Sequence, residues 1–369
     1  MGVPVFQIED IIKNNDVQVY SSNYALYGDM SQRVMQALTQ FTPEMEIYSI
    51  DEAFLDLANF SRVDLTKYGR NIKVSVEKWT GIPVSVGIAG TKTLAKIANR
   101  LAKYSKKADG VLDLSSTKYL DKALAAVAVG DVWGVGRKYA QFLTANGINH
   151  ALQLRDADDN FIKKRMGVVG LRVINELRGI SCYSLEQSPP RKKSITVSRT
   201  FKKGIESLAE LHEAVAAYVS SGAEKLRKEK SVAGVLVVYL LTNRFKESHY
   251  YNSAAINLPV RSNDTAELIR HARAGLRKIY KKGYRYKKAG ILLNDLGSEN
   301  LVQASFFDTV DRGRSKKLMQ AVDTINSARG PGVIRYGAVG LTHNQSWKTV
   351  FKQRSKSYTT HWEELLEVS

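Results

Sequence analysis

Ser188-Pro189-Pro190, followed at once by Arg191-Lys192-Lys193, constrains this chain more than any other feature. Two consecutive prolines remove two backbone donors and fix φ, so neither a helix nor an interior strand can run through them. The cations that follow keep the segment in water. The chain is therefore predicted to fold as separate bodies on either side of a solvated linker, residues 188–194. Its 369 residues suit two to four domains at about 100–200 residues each. With 44% apolar residues each can bury a core, which excludes disorder throughout.

Charge narrows the partners. Lys and Arg total 55 against 36 Asp and Glu, a net charge of +19. The excess recurs in short clusters at Lys103–Lys107, Lys163–Arg165, Arg191–Lys193, Lys225–Lys230 and Lys281–Lys288. One such cluster reads most simply as a solvated face. A succession of them suits an extended polyanion, nucleic acid before an anionic membrane. No apolar run approaches the ~18 residues of a membrane span, and no signal-like core opens the sequence. The single cysteine, Cys182, excludes an internal disulfide or a cysteine-based zinc site and suits a reducing cytoplasm.

Periodicity then places elements. Before the linker, Ser31–Leu38 reads as a helix, Glu46–Leu57 (EIYSIDEAFLDL) as a strand and Val84–Ile88 as a short strand. Thr91–Lys103 reads as a helix, and Asp131–Gly147 as a helical hairpin punctuated by Gly134 and Gly136. After the linker come strands at Ile195–Phe201, Val232–Leu241, Ala254–Val260 and Ala289–Leu293. The helices there are Leu208–Lys228 and Asp264–Lys281. That is an α+β domain with helices on one face of a sheet. Beyond Leu296 periodicity weakens, apart from a helix at Lys317–Ile325, and the remainder reads as a tail with docking segments.

Four groups of residues can carry chemistry. Asp51 and Glu52 are adjacent carboxylates in an otherwise apolar strand, with Asp56 beyond them. If buried they need compensation, which divalent cations with hard-oxygen preferences supply; the plainer reading is two acids on an exposed turn. Lys92, Lys96 and Lys103 form a stripe on the Thr91–Lys103 helix, suited to a nucleoside triphosphate or simply solvated. Trp133-Gly134-Val135-Gly136-Arg137 is a tight turn between helices whose backbone N–H groups can grip a phosphate. Gln303-Ala304-Ser305-Phe306-Phe307 puts two phenylalanines in the tail, where they either fold back or dock into a partner.

These motifs carry a resemblance. Ser49–Leu57 resembles the palm motif of Y-family, lesion-bypass DNA polymerases. Val84–Lys103, Asp131–Lys138 and Ser198–Phe201 resemble later blocks of that family in the same order. In the tail, QASFFD resembles a bacterial sliding-clamp binding motif. SYTTHWEELL (Ser357–Leu366) resembles the C-terminal signature of the UmuC-like branch, which serves SOS mutagenesis. The resemblance spans essentially the whole chain and implies an α+β multidomain right hand. Its expected parts are a fingers remnant (1–23), palm (24–115), thumb with a helix-hairpin-helix (116–187), little finger (195–297) and partner-binding tail (298–369).

The activity implied is error-prone, templated addition of deoxynucleotides to a primer on damaged DNA. Asp51 and Glu52 would hold two Mg²⁺ ions and Lys103 would contact the triphosphate. Gly134, Gly136 and Arg199 would face DNA, and Gln303, Ser305, Phe306 and Phe307 would bind the clamp. A processed UmuD dimer and RecA are the implied partners, in a bacterial cytoplasm at the nucleoid. The sequence departs from the family at its start: no Asp-x-x-x-Phe-Tyr block, with its further metal-binding Asp, precedes these motifs. The expectation is a palm sheet with unpaired neighbours and no measurable primer extension with Mg²⁺ by this chain, with a non-catalytic DNA- and clamp-binding remnant as the alternative.

Overall fold

The computed structural model describes residues 2–60, 62–188, 190–245, 249–306, 308, 310–341, 345, 347, 348 and 353–367. The chain divides into two compact units. The first is Met1–Pro189 together with Gln353–Ser369, and the second is Pro190–Lys352. Among the described residues no helix is long and apolar enough to cross a membrane.

In the first unit α1 (Glu9–Asn14) and α2 (Tyr24–Leu38) lead into β1 (Met45–Ile47) and β2 (Ala53–Leu55). These are followed by α3 (Leu65–Thr80), β3 (Val86–Ile88), α4 (Lys92–Tyr104) and β4 (Val111–Asp113). The helices α5 (Leu120–Ala125), α6 (Arg137–Ala145), α7 (Ala151–Arg155) and α8 (Asp159–Leu177) complete it, α8 being broken at Gly167.

The continuous strand expected over Glu46–Leu57 is instead an antiparallel hairpin, with Glu46 opposite Phe54. Its turn is closed by the Tyr48 and Ser49 N–H groups, which both donate to the Glu52 carbonyl at 3.1 and 3.0 Å. β3 and β4 pair in parallel, and the hairpin and this pair are two separate two-stranded sheets among the described residues. The buried stripe Leu94, Ile97 and Ala98 of α4 joins Leu124, Leu143 and Ile174 in one apolar core. A smaller core of Ala37, Phe41, Ile72 and Val76 lies between α2 and α3.

The last residues return to the first. The fully buried Asn23 side chain caps α2 by accepting from the Leu26 N–H, and donates to the Ser355 and Lys356 carbonyls at 3.1 and 3.3 Å. The Ser21 N–H donates to the Gln353 carbonyl at 2.8 Å.

The second unit is a four-stranded antiparallel sheet in the order β5-β8-β6-β7, made of β5 (Ile195–Ile205), β6 (Ser231–Leu241), β7 (Tyr251–Ser262) and β8 (Tyr286–Ser298). Helices α9 (Leu208–Lys228) and α10 (Thr265–Ile279) pack on it. The period-two pattern of β6 sets the facing: Leu236, Val238 and Leu240 are buried, whereas Val235, Val237 and Tyr239 are half-buried.

The tail adds α11 (Arg312–Arg329), longer at both ends than Lys317–Ile325. Asp311 caps its start by accepting from the Arg314 N–H at 2.9 Å. It is held less by an apolar stripe than by charge: Arg227 grips both oxygens of Asp323 at 2.6 and 2.8 Å, and Arg312 pairs with the buried Glu267 at 2.6 Å. That is why its hydrophobic periodicity is weak.

Candidate active site

Asp51 and Glu52 are not buried in a strand. They sit exposed at the hairpin tip, where neither carries the desolvation cost that a strand interior would impose. Asp51 is oriented locally: its Oδ1 accepts from the Ser49 hydroxyl at 2.5 Å, and its own N–H donates back to Ser49 Oγ at 3.3 Å. Glu52 accepts from Lys96 Nζ with both oxygens, at 2.6 and 2.7 Å. Asp56 stands apart, at the base of the hairpin, where it accepts from the Ala58 N–H at 2.8 Å.

Helix α4 runs beside this hairpin because three contacts fix it. Thr91 caps its start, accepting from the Leu94 N–H. The fully buried Glu176 carboxylate accepts from the Thr93 N–H at 2.9 Å and the Cys182 N–H at 2.6 Å, placing a negative charge at the positive end of the helix. Against β3 the fit depends on Gly87, where any Cβ would lie 2.1 Å from the Asn99 nitrogen of α4.

The lysines of α4 are not one phosphate-facing stripe. Lys92 pairs with Glu46 and donates to the Ser184 carbonyl at 2.8 Å, and Lys96 pairs with Glu52. Lys103, at the far end, is exposed and has no carboxylate partner among the described residues. Asp51, Glu52, Lys96 and Lys103 all line one open cleft of 1790 Å³, whose wall also includes Tyr24 and Val86.

The turn at Trp133 abuts the hairpin. Trp133 Nε1 donates to the Tyr48 hydroxyl at 2.9 Å, and its ring meets those of Tyr48, Phe54 and Tyr183 within 5.9 Å. Sequence periodicity gave no sign of this link, because its partners are 85 residues apart. Gly134 has φ +92, and a Cβ there would approach Val173 Cγ2 to 2.8 Å, so both backbone and packing require glycine. Gly136 is ordinary extended backbone in open space. As the N-cap of α6 it offers no side-chain acceptor, leaving the first N–H groups of that helix uncapped beside the exposed Arg137 and Lys138.

The remaining predicted residues are elsewhere, in the second unit. Arg199 is exposed on the edge strand β5, donating to the neighbouring Ser198 carbonyl at 2.9 Å, with exposed Lys202 and Lys203 nearby. Gln303 is exposed, Ser305 half-buried and Phe306 fully exposed at 106%; Phe307 lies outside the described residues. Asp308, just beyond, is held below the usual carboxylate range chiefly by its hydrogen bonds from Arg312, which anchors the base of this segment. Among the described residues no group of three His, Cys, Asp or Glu side chains converges.

Comparison with known proteins now decides the family. The impB/mucB/samB family matches residues 1–100, that family's C-terminal domain matches residues 192–306, and a domain of unknown function (DUF4113) matches residues 316–368. The protein UmuC of Salmonella typhimurium is 40% identical over 372 residues, covering 100% of this chain and 88% of the relative. A solved Y-family DNA polymerase chimera shares the fold, with a TM-score of 0.62 at 20% identity over 80% of this chain and 83% of that one. The chain belongs to the UmuC family of Y-family DNA polymerases.

MucB of Escherichia coli is a further relative, 34% identical over 98% of this chain and 86% of its own length. DNA polymerase IV of Treponema denticola is more distant, at 25% over 84% of this chain and 76% of its length. As a UmuC-family member the protein is a DNA-directed DNA polymerase of the error-prone, translesion class. The α+β multidomain fold expected of it agrees with the neighbouring solved structure.

Proposed function

We propose that the hairpin tip, α4 and the cleft between them form the nucleotidyl-transfer centre, with Asp51 and Glu52 holding Mg²⁺. The observation that carries this is the convergence of both carboxylates and Lys103 on one cleft. The donor set suits Mg²⁺, which prefers hard oxygens, retains several waters and is commonly held by one or two carboxylates plus substrate phosphates. When bound, the ions neutralise charge developing on the phosphates and activate the primer hydroxyl. The Ser49 hydroxyl orients the Asp51 carboxylate, and the Lys103 ammonium, with no carboxylate partner among the described residues, meets the triphosphate. The primer 3′ hydroxyl attacks the α-phosphate and pyrophosphate leaves.

In this reading residues 1–23 belong to the fingers, 24–115 to the palm, 116–187 to the thumb, 188–194 to the linker, 195–297 to the little finger and 298–369 to the tail. The uncapped turn at Gly134 and Gly136 takes a DNA phosphate, and Arg199 faces the DNA from the little finger. Gln303, Ser305, Phe306 and Phe307 dock on the sliding clamp; the full exposure of Phe306 leaves its ring accessible to a partner. A processed UmuD dimer and RecA are the regulatory partners, at the nucleoid.

The test is binding. Mn²⁺, as a stand-in for Mg²⁺, together with a deoxynucleoside triphosphate should bind the protein, and Asp51→Asn should lower that affinity at least tenfold while leaving DNA binding intact. Unchanged binding in Asp51→Asn would remove Asp51 from the site. Primer–template affinity should fall about 10³-fold between 50 and 200 mM salt if six or more phosphates are contacted, with little sequence preference. Salt-insensitive binding would argue against a phosphate-tracking surface.

A further inference from the structure

Lys92 and Lys96 lie one turn apart on α4, and both meet hairpin carboxylates, but the two pairs differ in kind. The side chains of Lys92 and Glu46 are each only 11% exposed. Two more bonds lock that pair, from Lys92 Nζ to the Ser184 carbonyl at 2.8 Å and from the Glu186 N–H to Glu46 at 2.7 Å. Lys96 and Glu52 are 23% and 45% exposed, and no second polar group holds either side chain among the described residues. The Lys96 ammonium also lies 5.1 Å from the centre of the Tyr48 ring, a second seat for a cation within reach. A half-exposed carboxylate whose sole partner is a flexible ammonium can exchange that partner. One held in a buried net cannot.

We infer that Lys96 is a placeholder for the metal. In the metal-free protein its ammonium neutralises Glu52 beside Asp51 and keeps the Glu52 carboxylate facing the cleft. Without it, two adjacent anions would stand uncompensated at the tip and draw a divalent cation more strongly. On arrival of the divalent ion the ammonium gives up Glu52, stays over the Tyr48 ring and turns to the incoming triphosphate. Lys96 is thus a positioning residue that holds the site ready and then follows the substrate. This rests on the reading of Asp51 and Glu52 as the metal holders, and it gives a sign that no simple loss of structure would produce.

The experiment is a Mn²⁺ titration without DNA or nucleotide, followed by loss of the free-ion resonance signal. Lys96→Met should bind Mn²⁺ about 2- to 5-fold more tightly than the wild type, because a competitor of exposed-pair strength is gone. Lys96→Arg, which keeps the charge, should bind as the wild type does. With a deoxynucleoside triphosphate present the order should reverse, Lys96→Met binding the Mn²⁺–triphosphate more weakly. Circular dichroism melts establish that each variant is folded. Equal or weaker Mn²⁺ binding by folded Lys96→Met overturns the placeholder and leaves the metal reading standing. Absence of Mn²⁺ binding by both wild type and Lys96→Met overturns the metal reading beneath it.

Discussion

The two units solve the same packing problem in opposite ways. The second builds one sheet from strands of 11 to 13 residues and covers it with two long helices, so that Leu211, Leu236, Leu276 and Leu293 all vanish from solvent in a single core. The first has, among the described residues, four strands of three residues each, in two separate pairs, and two apolar cores. Its charged residues meet across an open cleft rather than across a sheet. Continuous sheets resist deformation, whereas short strands hung on helices leave room for a substrate and for side chains that change partners. The difference teaches that the groups proposed to react are carried by the less regular unit, while the longer-stranded one presents a surface.

The comparison breaks most sharply at the core of the second unit. Leu236→Ala, at a fully buried position, should cost that unit about 2–5 kcal/mol, seen as a lowered calorimetric transition, with Mn²⁺ binding by the first unit unchanged. A lost metal site in this variant would mean that the units are not independent in stability.

In the first unit the pair of lysines sharpens the contrast. Lys92→Met leaves Glu46 nearly buried without its cation and should cost about 2–3 kcal/mol in denaturant unfolding, somewhat less than a fully buried pair because Glu186 still donates to it. A loss below half a kcal/mol would show that the hairpin is held by its aromatic contacts instead.

Next in size is the tail. Replacing Phe306 and Phe307 with alanine should weaken clamp binding by at least ~30-fold, the scale of a lost hot spot, with no change in the melting of either unit. Intact clamp affinity would reassign this segment. The smallest effect is on stability in Lys96→Met, at most about 1 kcal/mol for so exposed a pair, although its effect on metal binding has the opposite sign.

Much of the second unit was legible in the sequence. The helix Leu208–Lys228 was delimited to the residue, since Ser207 caps it and a basic last turn closes it. The first unit was legible mainly through its motifs. Its hairpin was hidden because Tyr48–Glu52 turns without glycine or proline: the turn is made by backbone bonds to the Glu52 carbonyl and by Ser49 holding Asp51, and alternating apolar residues run straight through it. Asp51, Glu52 and Lys103 were found as candidates, and the cleft brings them together. What the sequence could not show was the pairing of Lys92 with Glu46 and of Lys96 with Glu52. Ion pairs spanning 46 and 44 residues leave no local pattern. The docking of α11 was hidden for the same reason, since Arg227 and Asp323 are 96 residues apart.

The buried Asn23 has a consequence for how the protein is made. Its partners at Ser355 and Lys356 lie 332 and 333 residues further along the chain. At a synthesis rate of about 5–20 residues per second, roughly 15–65 s separate the appearance of Asn23 from that of the carbonyls it will bond. During that interval the second unit, encoded between them, is free to fold first, while the start of the first unit waits with an uncovered amide. The order of completion is thus the reverse of the order of synthesis, and a nascent chain stalled anywhere before Gln353 exposes the Asn23 surface to whatever chaperone attends the ribosome.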